Sequence, residues 1–175
     1  MGHIARTVLL PVGAILRQRS LPQAPVQSAR FLFLNYEVAL GYAVLATATF
    51  AALKAVRPDA FIAVAASGTT ADLLRASPLL DELIITPHAA FDTIRAIGFF
   101  HKHVYPRRQD FDYVATDGGN ERPRAALMAL LSGVRHRIGI TLAPELFHAG
   151  LQYDYAIGII ANHMRLLRVR FEIHG

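Results

Sequence analysis

Between residues 31 and 59 the chain reads FLFLNYEVALGYAVLATATFAALKAVRPD: a short apolar run, a turn ending in Leu40-Gly41, and an Ala/Leu-rich segment at helical spacing. That unit is a buried strand, a tight turn and a helix stopped by Arg57-Pro58-Asp59. It constrains the fold more than any other stretch, because loops at the carboxyl ends of parallel strands converge on one crevice, and that crevice is where such folds hold ligands.

The pattern then repeats. FIAVAAS reads as a second strand, SGTTADLLRAS as a short helix capped by Ser67, Thr69 or Thr70, and ELIITP as a third strand closed by Pro87. FDTIRAIGFFHKHV is a third helix, FDYVATD a fourth strand, RPRAALMALLSG a fourth helix ended by Gly133, and RHRIGI a fifth strand. Strands and helices alternating at this spacing imply an α/β fold with a mostly parallel sheet and right-handed crossovers.

A length of 175 residues with 53% hydrophobic content suffices for one domain with a sizeable core. Cysteine is absent, which excludes disulfides and thiolate metal sites and fits a cytoplasmic address. Eighteen Lys and Arg against thirteen Asp and Glu leave a net charge of +5, carried mostly by arginine, which favours an anionic partner. Despite a mean hydropathy of +0.32, the sequence contains no apolar run long enough for a membrane-spanning helix.

Residues 1–29 differ in style. HIARTVLLPVGAILRQRS mixes apolar residues with Arg6, Arg17 and Arg19, and LPQAPVQSAR follows as a Pro/Gln linker. A boundary near Ala29 divides a basic amphipathic extension, suited to peripheral contact with an anionic membrane surface, from a domain over 30–155; a disordered or misassigned start fits the same residues. One more amphipathic helix is expected near 156–168, within a tail over 156–175 that completes no second domain.

LGYAVLATATFAALKAVRPDA, IAVAASGTTADLLRASPLLDELI and FDYVATDGGNERPRAALMALLSGVRHRIGI, in that order, resemble the amino-terminal domain of glycosyltransferase family 9, the lipopolysaccharide heptosyltransferases and their relatives. The resemblance covers roughly 30–168. It implies a Rossmann-like parallel sheet flanked by helices, the amino-terminal half of a two-domain GT-B enzyme that binds the acceptor sugar. The ADP-sugar donor, a substrate rather than a cofactor, is bound by a second domain that this sequence does not contain. No metal or other cofactor is implied.

Two departures from the family pattern bear on chemistry. The family's first turn reads Gly-Asp, the Asp being the general base for the acceptor hydroxyl, and here Tyr42 follows Gly41. A phenol, with an ordinary pKa near 10, is a poor base at neutral pH. The basic residue that ends the family's first strand is here Asn35, and the turn is one residue longer, which puts Glu37 in the same loop as the candidate base; a solvated loop glutamate with no role is the competing reading.

For the acceptor, Asp117-Gly118-Gly119-Asn120 after the fourth strand, with Arg122 and Arg124 at the next helix start, offers a tight turn and cationic forks for an anionic sugar. Asn120 as a plain helix cap beside solvated arginines is the competing reading. Ser67-Gly68 after the second strand is a further candidate for sugar hydroxyls. Arg135 and Arg137 lie at the opposite end of the fifth strand and read as surface residues. His101 and His103, two apart with no carboxylate cluster, argue against a metal site. The absence of G-x-G-x-x-G after the first strand argues against a dinucleotide oxidoreductase, and dispersed charge argues against nucleic acid.

The resemblance implies transfer of a sugar, a heptose in first place, from an ADP-sugar to a lipopolysaccharide-type acceptor, with the donor domain outside this chain. The alternative is a non-catalytic acceptor-binding module or degenerate pseudoenzyme that self-associates or pairs with a separate donor domain.

Overall fold

The computed structural model describes residues 29–35, 40–88, 91–116, 123–142, 146–147 and 149–152. In chain order the elements are β1 (Arg30–Asn35), α1 (Leu40–Val56), β2 (Phe61–Ala66), α2 (Gly68–Leu74), β3 (Glu82–Ile85), α3 (Thr93–Phe99), β4 (Tyr113–Thr116), α4 (Pro123–Leu131), β5 (His136–Thr141) and β6 (Ala149–Gln152). A π-helical turn over Phe100–Val104 and a 3-10 turn over Tyr105–Asp110 prolong α3. The sheet runs β3-β2-β1-β4-β5-β6 with every pairing parallel.

Strand β1 sits at the centre because both of its faces are apolar. Phe31 and Phe33 pack with Phe50 of α1 and with Ile62 and Val64, while Leu32 and Leu34 face Phe100, Val114 and Met128. The Phe33 and Phe50 rings meet edge to face at 4.9 Å, and Phe31 stacks on Tyr113 at 5.1 Å. Spacing explains the helices as well: Ala46 and Phe50 lie on the buried side of α1, and Ala96, Phe100 and Val104, each four apart, hold the α3 run against the sheet. Gly133 ends the fourth helix as its sequence position predicts, with φ +69° and its N–H donating to the Leu130 carbonyl at 3.2 Å.

The amino edge of the sheet is locked by charge. Arg30 donates its backbone N–H to the Asp112 carboxylate at 2.8 Å and its Nε to the Asp110 carbonyl at 2.6 Å, with its guanidinium 3.8 Å above the Phe61 ring. Asp81 accepts from the Ile62 N–H at 2.8 Å and from Lys54 Nζ at 2.9 Å. Arg107 forks onto both oxygens of Glu82 at 2.6 and 2.9 Å.

Two expectations need correction. Arg137 is not a surface residue: it is 6% exposed, and its Nε donates to the Leu146 carbonyl at 2.7 Å. Leu146 lies beyond the end of β5, so this partner of the buried arginine comes from outside its strand. The second difference is β6, a sixth strand on the far edge that pairs Ile138 with Ala149; the five-strand reading omitted it. Of the amphipathic extension and linker over 1–29 all but the buried Ala29 lies outside the described residues, as does the helix near 156–168.

Candidate functional site

The strand order reverses between β1 and β4, since the chain runs from β1 outward to β3 and returns on the other side at β4. In open parallel sheets the crevice beyond the carboxyl ends of the strands at such a point is the ligand site. The carboxyl edge here is lined by neutral polar side chains, in contrast to the ion pairs of the amino edge. Asn35, Ser67, Thr86, Thr116 and Thr141 end or follow β1 to β5 and are all buried.

Their hydrogen bonding separates them. Thr116 Oγ1 donates to the Ile140 carbonyl at 2.8 Å and Thr86 Oγ1 to the Pro87 carbonyl at 3.2 Å. Asn35 Oδ1 and Nδ2 and Ser67 Oγ have no partner among the described residues. Asn35 pairs in register with Ala66, so strand spacing and rise put the Asn35 and Ser67 Cα atoms about 6 Å apart. Each buried polar atom left unmet costs about 1–3 kcal/mol, unless a water or a ligand meets it. By strand alternation the two side chains belong to opposite faces of the sheet, Asn35 following Phe33 and Ser67 following Ala65, so the amide and the hydroxyl flank the carboxyl end of the β1–β2 pair, and each separately offers a hydrogen-bonding group to a sugar hydroxyl.

Around this pair stand other residues singled out in the sequence. Ser67 is extended (φ −134°, ψ 157°) at the start of α2 and makes no cap bond with its side chain. Gly68 follows with φ +54°, a left-handed turn that favours glycine. Gly41 and Tyr42 lie in the first turn of α1, Gly41 exposed with nothing within 4 Å of a Cβ placed on it and Tyr42 half-buried. Neither β1 nor the first turn of α1 or α2 holds a carboxylate. Arg124 is exposed as the second residue of α4, on the β4 side of the crevice. Glu37, Asp117, Gly118, Asn120 and Arg122 lie outside the described residues.

Thr116 and Thr141 were not singled out from the sequence, although each closes an apolar run at a strand end. Gly139 was missed too. Among the described residues no group of three His, Asp or Glu side chains could hold a metal, and His101 and His103 are exposed on the π-helical turn.

Comparison with known structures places this architecture. A glycosyl transferase family 9 structure from Veillonella parvula superposes with a TM-score of 0.65 and 16% identity, over 82% of this chain and 42% of that one. The E. coli ADP-heptose lps heptosyltransferase II superposes with a TM-score of 0.59 and 20% identity, over 79% of this chain and 40% of that one. The chain has the fold of one part of these glycosyltransferase structures. It spans about two-fifths of the length of these two structures. No family profile matches the sequence, and no curated protein matches it. The family 9 resemblance of the three sequence segments is matched by the Rossmann-like sheet these structures share with the chain. No helix among the described residues is long and apolar enough to cross a membrane.

Proposed function

We propose that this chain is the acceptor-binding part of a glycosyltransferase. In this reading a sugar, a heptose by the resemblance, passes from an ADP-sugar held by a separate donor-binding unit to a lipopolysaccharide-type acceptor held at the carboxyl edge of this sheet. The observation that supports the reading is that Asn35 and Ser67, at the carboxyl ends of β1 and β2, are buried with side-chain polar atoms that have no partner among the described residues. The acceptor's hydroxyls meet that pair, Arg124 and Arg122 reach its anionic groups, and Gly41 and Gly68 keep the approach open.

Catalysis in this scheme is displacement at the anomeric carbon, with a base taking the proton of the attacking hydroxyl and fixed positive charge stabilising the departing diphosphate. Glu37 is the proposed base, in place of the aspartate where Tyr42 stands. A second reading is favoured by one observation: the first turn of α1 carries no carboxylate, so a module that binds acceptor without transferring sugar accounts for the same fold.

Mixing the chain with an ADP-heptose donor, a lipopolysaccharide core acceptor and a separately produced family 9 donor domain separates the two. Mass-detected transfer that disappears in Glu37→Gln supports the enzyme. Acceptor binding by calorimetry without transfer supports the module. Absence of both removes the proposal.

A further inference from the structure

Asn35 is 1% exposed, and both polar atoms of its side chain, the Oδ1 acceptor and the Nδ2 donor, lack a partner among the described residues. It ends the central strand β1, and by alternation it belongs to the sheet face covered by Ala46 and Phe50 of α1 and by Ala71 and Leu74 of α2. At the first turns of those two helices, a Cβ placed on Gly41 or on Gly68 would meet nothing within 4 Å, so there is open space beside both.

An unmet amide asks for more than an unmet hydroxyl does. Whichever way it is turned, it presents both a donor and an acceptor. An ionised carboxylate or phosphate brings acceptors only: it can meet Nδ2, but it leaves Oδ1 without a donor and sets negative charge beside it. An ammonium group fails in the opposite sense. Sugar hydroxyls both donate and accept, and two neighbouring ones satisfy the whole amide.

Charge points the same way. Asn35, Ser67, Thr86, Thr116 and Thr141, which end or follow β1 to β5, are all neutral and buried, and the first turns of α1 and α2 contain no charged side chain. Partial positive charge at these helix starts favours an anion, but it gives Oδ1 no donor. A full negative charge lowered onto this floor would lose its water with no side-chain cation beside Asn35 to replace it. Arg124, exposed on the β4 side, offers charge at the rim instead.

We propose that Asn35 determines specificity for an uncharged sugar: the acceptor residue that enters at the end of β1 is a neutral polyol, and a sugar acid or sugar phosphate is excluded from that position. Any anionic groups of the acceptor then lie on residues further out, towards Arg124. The proposal rests on the acceptor-binding reading above and narrows it.

Saturation-transfer NMR of the full chain tests this with three probes: a methyl heptoside, the uronate made by oxidising its terminal hydroxymethyl group, and its phosphate monoester. The neutral heptoside is expected to bind about tenfold or more tightly than either charged form. Asn35→Leu is expected to weaken the heptoside about tenfold and to leave the charged forms unchanged, so that the preference disappears. The ranking in the wild-type chain decides by itself if the variant does not fold. Charged forms that bind as tightly as the heptoside overturn the proposal and leave the acceptor-binding reading standing. Heptoside binding that is unchanged in a folded Asn35→Leu variant also overturns it, since water then meets the amide. If none of the three binds, the proposal falls, and binding of a whole lipopolysaccharide core oligosaccharide shows whether the acceptor-binding reading falls with it.

Discussion

Gly139 of β5 packs against Thr116 of β4 so closely that a Cβ on the glycine would run into the Thr116 carbonyl oxygen and lie 2.6 Å from its Oγ1 and 2.7 Å from its N. The two residues are register partners, and Gly139 has φ +139°, a conformation that other residues rarely adopt. Thr116 cannot retreat, because its hydroxyl is bonded to the Ile140 carbonyl.

Gly139→Ala is therefore expected to destabilise the protein by about 3 kcal/mol or more, from collision and backbone strain together. For a chain of this size that lowers the melting temperature by roughly 6–12 °C. Gly98→Ala is the control, since Gly98 is helical and meets nothing within 4 Å; it should stabilise by about 0.5–1 kcal/mol. Thermal denaturation of the two side by side decides, and equal effects would contradict the account.

Arg137→Met keeps the bulk of the side chain and removes its bond to the Leu146 carbonyl. A loss of about 1–3 kcal/mol is expected from the abandoned buried acceptor. Arg135→Met, at the exposed neighbour, should stay within about 0.5 kcal/mol. Urea midpoints that fail to separate the two would mean that the contact with Leu146 carries no stability.

Stability should fall on acidification in two windows. Burial pushes the His136 imidazole below its ordinary value, helped by Arg135 and Arg137 and opposed by Asp112. The unfolded chain then takes up that proton first, so stability is full above about pH 6.5 and declines below it. Burial pushes the Asp81 carboxyl up, but the Ile62 N–H and Lys54 outweigh it and hold the group below the ordinary range. Its contribution is present above about pH 3.9 and is lost as pH falls through the lower folded value. Melting temperatures between pH 8 and pH 3 test both, and His136→Phe should remove the upper decline alone.

Asn35→Leu replaces the unpartnered amide with an apolar side chain of similar size. If a ligand is what Asn35 serves, the variant folds with unchanged or raised stability and loses acceptor binding in calorimetry. A fall of several kcal/mol with binding retained would instead make Asn35 a structural residue.

What the sequence disclosed follows from how local each cause is. The β1 and α1 pair is legible because Phe31 to Leu34 form an apolar run and Ala46 and Phe50 share a helical face, both within a few residues. The α3 run is legible up to Val104, but its change to π and then 3-10 turns is not marked by any local residue pattern beyond Pro106 in the first 3-10 turn. Arg137 was misread because its partner Leu146 lies beyond the end of its own strand. β6 escaped because AGLQ has neither alternation nor β-branched residues.

In the candidate site, Ser67 could be named from its position after an apolar strand, and Asn35 from the family resemblance at the end of β1. That they are buried without partners could not, because this depends on the register between β1 and β2. Gly139 is an ordinary glycine in RHRIGI until β4 is set beside it.

The order β3-β2-β1-β4-β5-β6 also dictates how the chain must come together in time. Its central strand leaves the ribosome before the other five described strands, and β2 and β3 can join one side early. The other side waits for β4: the Arg30 N–H finds the Asp112 carboxylate only after 82 further residues. Until then the half-sheet has Phe31 to Leu34 on an open edge whose backbone groups invite pairing with another chain. The strand at the heart of the folded protein is thus the most vulnerable part of the nascent one, and contacts this distant in sequence make its closure slow.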